Sequence, residues 1–124
     1  TFVGYFIGSP AMNLFETEAS SNDCVKINGT LIKTNTNLSK LKEKKIKLGI
    51  RSEFIDIAKD HKDNLLSAEV QKVEDLGNYK LLTAKMGNLI IKSKIKRETE
   101  VPSNNVRLHI PADKCCVYEN ENLI

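Results

Sequence analysis

The sequence predicts an all-β domain built as a barrel of short antiparallel strands. Turn signals recur at close intervals along the chain, among them Asn28-Gly29, Gly77-Asn78 and Gly87-Asn88. Between these turns, apolar residues alternate with polar ones, which is the two-residue period of a half-buried strand. The pattern of a long helix is almost absent. Many short strands joined by tight turns are typical of a barrel.

The composition is ordinary for one globular domain. The chain has 124 residues, of which 40% are hydrophobic and 28% charged, and a domain of this length buries enough surface for a core. No apolar run approaches the roughly 20 residues that a membrane span requires. The net charge of +3 is weak support for an acidic partner. We expect Cys24, Cys115 and Cys116 to be reduced thiols, because their number is odd and they lack CxxC spacing.

The first 16 residues, TFVGYFIGSPAMNLFE, predict a helix that ends where a β-domain begins. The apolar run Phe2–Ile7 fits the last turns of a buried helix, and Gly8-Ser9-Pro10 would cap and stop it. From Met12 onwards a rough alternation predicts the first strand. Because the chain starts at Thr1 without methionine, we expect a fragment of a longer protein rather than a signal peptide.

The rest of the first half predicts a hairpin, a surface connection and a further strand. Asn28-Gly29 between two β-prone runs is a strong hairpin signal. Residues 35–47 hold five lysines, which favours a solvated connection, with a patch near lipid headgroups or an acidic partner as the alternative. Residues 46–51 alternate as a strand, and Phe54–Asn64 predict a short helical turn followed by an exposed loop. We expect His61, in this loop, to face solvent.

The second half predicts a meander. The apolar alternation of Leu66–Leu76 slips after Val70, which predicts a β-bulge near Gln71-Lys72. Strands follow at 79–86, 89–96, 106–110 and 115–118. His109 would face outward or toward a partner, because it alternates with apolar neighbours on its strand.

The two halves resemble each other at an offset of about sixty residues. Asn28–Thr34 resembles Gly87–Ser93, and Ile46–Glu53 resembles Val106–Asp113. In each half a hairpin is followed by an alternating strand that ends in an acidic turn. Two related β-units would produce this pattern, and chance matching of strand patterns is the alternative.

The residues exclude several kinds of chemistry. The glycine-rich run ending in Gly-Lys-Ser/Thr that holds nucleotide phosphates does not occur. We find no set of residues for nucleophilic or acid–base catalysis, and no ligand set for a cofactor or metal. Single-stranded nucleic acid binds OB-type barrels through exposed aromatic residues. The chain has no Trp, and four of its seven aromatic residues lie within residues 1–16, so nucleic acid is not an expected partner.

Four segments, in the right order, resemble one family. They are Phe6-Ile7-Gly8-Ser9-Pro10-Ala11-Met12-Asn13, Leu48-Gly49-Ile50-Arg51-Ser52-Glu53, Glu69–Asn78, and Leu108-His109-Ile110-Pro111 followed by Asp113-Lys114-Cys115. They resemble the C-terminal regulatory, transport-associated domain (TOBE domain) in ATP-binding subunits of bacterial carbohydrate-importing ABC transporters, of the maltose, multiple-sugar and glycerol-phosphate type. The resemblance implies a β-barrel assembly related to the OB fold and to oxyanion-binding modules. Residues 1–9 would end the nucleotide-binding domain as a junction helix, and residues 10–124 would form the regulatory β-domain.

The resemblance also implies a function. The domain would regulate and dimerise the ATP-binding subunit without being an enzyme itself, and the ATP and Mg²⁺ sites of the parent subunit would lie upstream of Thr1. Its partners would be a second copy, the upstream nucleotide-binding domain, the membrane permease subunits through the parent, and a regulatory protein. It would sit in the cytoplasm at the inner face of the cell membrane. The expected interdomain or dimer contacts are Gly8, Ser9, Pro10, Met12, Asn13, Arg51, Glu53, Gly77 and Asn78.

Some features leave other interpretations open. The glycines and Pro10 are also explained by turn geometry alone. The family usually has Pro-Glu-His after its Gly-Ile-Arg, whereas this chain has Ser52-Glu53-Phe54, so a contact made by that histidine is not expected here. A domain that senses an oxyanion or sugar phosphate is one alternative function, and an OB-type nucleic-acid binder is a weaker one. We also expect Phe2, Tyr5 and Phe6 to be exposed or buried against another copy.

Overall fold

The computed structural model describes residues 5–7, 12–42, 45–120 and 122–124. Within these ranges strands are the main regular structure, and the helices are two single-turn 3₁₀ helices, η1 and η2. The elements are β1 Tyr5–Ile7, β2 Met12–Ala19, β3 Cys24–Ile27, β4 Thr30–Lys33, β5 Lys45–Arg51, η1 Ser52–Phe54, β6 Asp56–Ile57, β7 Leu65–Asp75, β8 Tyr79–Met86, β9 Leu89–Lys96, β10 Asn105–His109, η2 Ala112–Lys114, β11 Cys116–Glu119 and β12 Asn122–Leu123. The predicted all-β class is confirmed.

The strands form two sheets. The first has the order β12-β11-β5-β2-β3-β4, with β1 also paired to β2, and the second has the order β6-β10-β7-β8-β9. Every pairing between described strands is antiparallel. No helix in these residues has the length and apolar content to cross a membrane.

The two sheets are built from two related β-units. The first unit runs β2-β3-β4-β5-η1-β6 and the second runs β7-β8-β9-β10-η2-β11. In each unit the first strand pairs with the second and the fourth, and the second strand pairs with the third. The last strand of each unit crosses over, because β6 pairs with β10 and β11 pairs with β5. The predicted pair of β-units is therefore confirmed, and neither sheet is made from one unit alone.

The predicted turns and bulge are confirmed. Asn28 and Gly29 have φ values of 47° and 83°, the two positive values that a tight hairpin turn requires. Gly77 and Gly87 begin the next two turns with φ values of 97° and 60°. The pairing of β7 with β8 shifts between Val70 and Lys72, where the apolar alternation slips.

The predicted junction helix is wrong at Tyr5–Ile7. These residues form β1, and Phe6 of β1 pairs with Asn13 of β2. Aromatic and β-branched residues favour strands. An apolar run this short fits both the two-residue period of a strand and the 3.6-residue period of a helix. Pairing with β2 satisfies the backbone of β1 in a way that an isolated helical turn cannot. The rest of the predicted helix, at residues 1–4, and the stop at Gly8-Ser9-Pro10 lie outside the described residues, as do the side chains of Phe2, Tyr5 and Phe6.

The core lies between the sheets. Its fully buried side chains come from both units and include Phe15, Leu48, Ile50, Leu66, Leu82, Ile91 and Leu108. Burying one Leu, Ile or Phe side chain contributes about 1.5–3 kcal/mol. Since strands of both units contribute to this core, we expect the two units to fold as one body.

Candidate functional site

The site begins where the described chain enters β2, at the residues expected to join an upstream domain. Met12 pairs with Arg51, and Asn13 pairs with Ile50 across the β2–β5 ladder. The structure therefore brings three of the predicted contact residues, Met12, Asn13 and Arg51, to one end of the first sheet. Glu53 follows Arg51 by two positions, is exposed, and lies in η1.

Asn13 links this end of the first sheet to the second sheet. Its Nδ2 donates to the carbonyl oxygen of Lys92 at 2.9 Å, and its Oδ1 accepts from the Lys92 backbone N–H at 2.9 Å. Nδ2 also donates to the Ile50 carbonyl at 3.3 Å. Asn13 is 1% exposed, and its amide pairs with both backbone groups of Lys92 as a neighbouring strand would. We call these three hydrogen bonds the Asn13 clamp.

Asn64 makes the same three hydrogen bonds in the second unit. Its Oδ1 accepts from the Lys33 N–H at 2.8 Å, and its Nδ2 donates to the carbonyls of Lys33 at 2.7 Å and Ile110 at 2.8 Å. Lys33 and Lys92 are equivalent in the repeat read from the sequence, as are Ile50 and Ile110. Each unit therefore holds an edge strand of the other through one asparagine. We call the second set the Asn64 clamp.

A small apolar cluster covers the other face of the first sheet beside Asn13. A Cβ atom added to Gly49 would lie 2.9 Å from Met12 Sδ, 3.0 Å from Tyr118 Cε2 and 3.1 Å from Leu14 Cδ2. The Tyr118 hydroxyl donates to Met12 Sδ at 3.8 Å. Glycine is therefore needed at position 49 for close packing, and Met12 is held by neighbours on two strands.

The predicted contact residues Gly77 and Asn78 lie in the other sheet, in the β7–β8 turn. Asp75 supports this turn, because its Oδ1 accepts from the Gly77 N–H at 2.9 Å and both of its carboxylate oxygens lie 3.1 Å from Arg97 Nε. The Gly77 N–H, and then Arg97, lower the pKa of the Asp75 carboxyl. The glycine therefore has a conformational role, and Asn78 is exposed.

Of the remaining predicted contacts, Gly8, Ser9 and Pro10 lie outside the described residues. A contact with another domain or subunit stays a prediction for all nine positions. Asn13 and Met12 are buried within the chain, so they would act on a partner by fixing the backbone. Arg51 is half-buried, whereas Glu53 and Asn78 are exposed and reach the surface directly.

The cysteines are free thiols, as expected. Burial raises the pKa of the Cys115 thiol to about 12, and its Sγ donates to the Pro111 carbonyl at 3.4 Å. A thiol held in this way is a poor nucleophile. Within the described ranges no three His, Cys, Asp or Glu side chains are arranged to hold a metal ion.

His61 is exposed as predicted, but it has a partner that the sequence did not reveal. Its ring stacks on that of His109, with 3.7 Å between ring centroids and 13° between ring planes. Burial is the main cause that lowers the pKa of His109, and nearby His61 lowers it further. The two residues are 48 positions apart, and only the fold brings them together.

A cleft of about 440 Å³ lies beside this pair, between strands of the two units. Its lining comprises Cys24, Leu31, Lys33, Asp63, Asn64, His109 and Ala112. Lys33 offers a positive charge that attracts an anion, whereas the carboxylate of Asp63 repels one.

Comparison with known proteins finds a family and several relatives that the chain resembles. Residues 8–55 match the family described as the MalK OB fold domain. The chain is 32% identical over 114 residues to the sn-glycerol-3-phosphate import ATP-binding protein UgpC 2 of Agrobacterium fabrum, covering 90% of this chain and 30% of that protein. It is 38% identical over 84 residues to UgpC of Psychromonas ingrahamii, covering 68% and 21%. It is 32% identical over 131 residues to the multiple sugar-binding transport ATP-binding protein MsmK of Streptococcus mutans, covering 97% and 35%.

A solved structure supports the fold. The cytoplasmic molybdate-binding protein ModG, with molybdate bound, superposes with a TM-score of 0.70 at 12% identity, covering 86% of this chain and 94% of that one. The chain thus has the OB-like architecture, and it spans about a fifth to a third of the length of the curated relatives it matches. The predicted resemblance to the OB-type domain of sugar-importer ATP-binding subunits is confirmed.

Proposed function

Because this chain is an OB fold domain of the kind found in ATP-binding subunits of sugar ABC importers, we propose that it regulates and dimerises such a subunit. It has no ATPase activity of its own. Catalysis, with ATP and Mg²⁺, belongs to a nucleotide-binding domain in the parent protein. The parent works with membrane permease subunits at the cytoplasmic face of the membrane.

The observation that carries this proposal is the Asn13 clamp. A domain joined before β1 would precede a strand that pairs with β2. In β2, Asn13 lies opposite Phe6 of β1, and its amide also bonds to the edge strand of the second sheet. Because Asn13 is buried and bonds to strands of both sheets, β2 would hold the strand before it at a fixed orientation to both sheets. A stiff connection is what a domain needs if it is to hold two ATP-binding subunits together while they open and close.

Arg51, Glu53 and Asn78 are proposed as the contacts to the second copy. Glu53 and Asn78 are exposed, and Arg51 is fixed by its pairing with Met12. Charged and amide side chains at the edge of an interface set its register more than its affinity. A regulatory protein would dock on the same domain.

Sedimentation velocity on the 124-residue chain tests self-association. We expect the weight-average mass to rise with concentration, and Arg51→Ala and Glu53→Ala to weaken this rise. Lys85→Ala, a change at an exposed position of β8, is the matched control and should leave it unchanged. A chain that stays monomeric at the highest concentration reached would show that it is not an independent dimerisation unit.

An oxyanion or sugar-phosphate sensor is the second candidate. It is favoured by the likeness in fold to the molybdate-binding ModG and by the cleft that holds Lys33 and His109. Titration calorimetry with molybdate, sulfate and glycerol phosphate separates the two functions. Heat that saturates and is lost in Lys33→Ala supports the sensor, and the absence of heat for all three ligands argues against it.

A further inference from the structure

The Asn13 and Asn64 clamps have the same hydrogen bonds but different neighbours. The position next to Ile50 is Gly49, whereas the equivalent position next to Ile110 is His109. Gly49 pairs with Leu14, the residue after Asn13, and His109 pairs with Leu65, the residue after Asn64. The Asn13 clamp therefore lies beside aliphatic and thioether side chains, whereas the Asn64 clamp lies beside the titratable ring of His109.

The ring stacked on His109 belongs to the segment that carries Asn64. His61 lies in residues 58–64, which connect β6 to β7 and which we call the 58–64 loop. The loop is held at its start by the Ala58 N–H, which donates to the Arg107 carbonyl at 2.8 Å, and at its end by Asn64. Between these two points, the stack with His109 joins the loop to β10.

We propose that the His61–His109 stack is a pH-sensitive latch, which keeps the Asn64 clamp closed near neutral pH and releases it in mild acid. Two neutral imidazoles stack favourably, whereas two imidazolium ions at this distance repel each other. Because His61 lies in the loop and His109 in a sheet, the repulsion would move the loop. Asn64, three residues after His61, would then lose its hold on Lys33 and Ile110. This proposal does not depend on the proposed role in an importer.

The groups around His109 determine the direction of the effect. Asp56 on β6 and Asp113 in η2 favour its charged form, whereas its burial and His61 oppose that form and prevail, so its pKa lies below the usual value. Lys33 on β4 and Asp63 in the 58–64 loop also line the cleft that His109 faces, and they carry opposite charges. Charging of His109 is therefore disfavoured while the stack is closed, and acid favours the open loop.

Amide hydrogen exchange measured by NMR tests the latch. The Lys33 N–H donates to Asn64 Oδ1 and the Ile110 N–H to the Asn64 carbonyl, while the Lys92 N–H in the other clamp provides a matched internal control. After correction for intrinsic exchange, we expect protection at Lys33 and Ile110 to fall at least roughly threefold relative to Lys92 between about pH 7.5 and 5.5, a range in which ordinary carboxyl groups stay ionised.

Two variants identify the cause. In His61→Gln and in His109→Gln, the protection of Lys33 relative to Lys92 should no longer change with pH. Protection at the buried Leu48 and Leu82 verifies that each variant is folded. The latch is wrong if Lys33 and Lys92 keep a constant ratio in the unmodified chain, or if both glutamine variants retain the acid-dependent loss.

Discussion

The side-chain amide of Asn13 pairs with both backbone groups of Lys92, 79 positions away and in the opposite sheet. Asn64 pairs with Lys33 in the same way. An asparagine amide has one acceptor and two donor hydrogens, so one side chain can satisfy an edge residue and a neighbouring carbonyl together. The repeated units are thus joined by two equivalent polar links in addition to their shared apolar core.

Replacing Asn13 with alanine should destabilise the chain by about 1–3 kcal/mol, because it removes the side chain that bonds to the Lys92 N–H and to the Lys92 and Ile50 carbonyls. Asn13→Asp should be at least as harmful, since a carboxylate cannot donate to the two carbonyls. Urea unfolding followed by circular dichroism measures both. Asn64→Ala is the matched control and should cost less, because Asn64 is more exposed. If Asn13→Ala loses no more stability than Asn64→Ala, the greater burial of Asn13 does not determine the cost.

Arg97→Gln should raise the pKa of Asp75 only part of the way to its usual value of about 4. The Gly77 N–H is the larger cause of the lowered pKa, and Arg97 is the second. Because the pKa is lower in the folded chain, the Asp75 contribution to stability is complete above the unfolded pKa and is lost as pH falls through the folded pKa. An NMR titration of the Asp75 carboxyl carbon checks this. A complete return to the usual value in Arg97→Gln would show that the guanidinium alone is responsible.

Cys115 should resist alkylation in the folded chain. With its pKa raised to about 12, almost none of its thiol is ionised at pH 8, and the thiolate is the reactive form. Iodoacetamide labelling followed by peptide mass spectrometry should show slow modification of Cys115 and rapid modification in urea. Rapid labelling of Cys115 in folded protein, with Cys115→Ser as the control for peptide assignment, would contradict its burial.

The features predicted correctly from sequence are those that depend on nearby residues. The Asn28-Gly29 hairpin follows from the backbone preference of two residues, and the bulge after Val70 follows from a local slip in alternation. The repeat was also visible, because related units keep related strand patterns. The turn and the bulge are each indicated by one short stretch of chain, and the repeat by comparing short stretches about sixty residues apart.

The features that the sequence did not reveal depend on contacts between distant strands. Asn13 was singled out for its place in a motif, but its pairing with Lys92 depends on how two sheets pack. No partner of His61 is evident from the sequence, because His109 lies 48 positions further along the chain. The helix predicted over Phe2–Ile7 was wrong at β1 because a short apolar run fits either period, and pairing with β2 decided the outcome.

Gly49→Ala should destabilise the chain by about 1 kcal/mol, at the low end of the cost of overpacking. The new methyl group would approach Met12 Sδ at 2.9 Å, which is closer than packed side chains tolerate, but a thioether chain can rotate away. A double-mutant cycle with Met12→Ala tests this explanation. If the clash is with Met12, Gly49→Ala should cost much less in the Met12→Ala background, with a coupling of about 0.5 kcal/mol or more.

Gly77→Ala is the contrasting control, since nothing lies within 4 Å of its Cβ position and its φ of 97° alone causes the strain. The cost of Gly77→Ala should be the same with Met12 present or replaced. If the cost of Gly49→Ala is also unchanged by Met12→Ala, the clash is with Tyr118 or Leu14 instead.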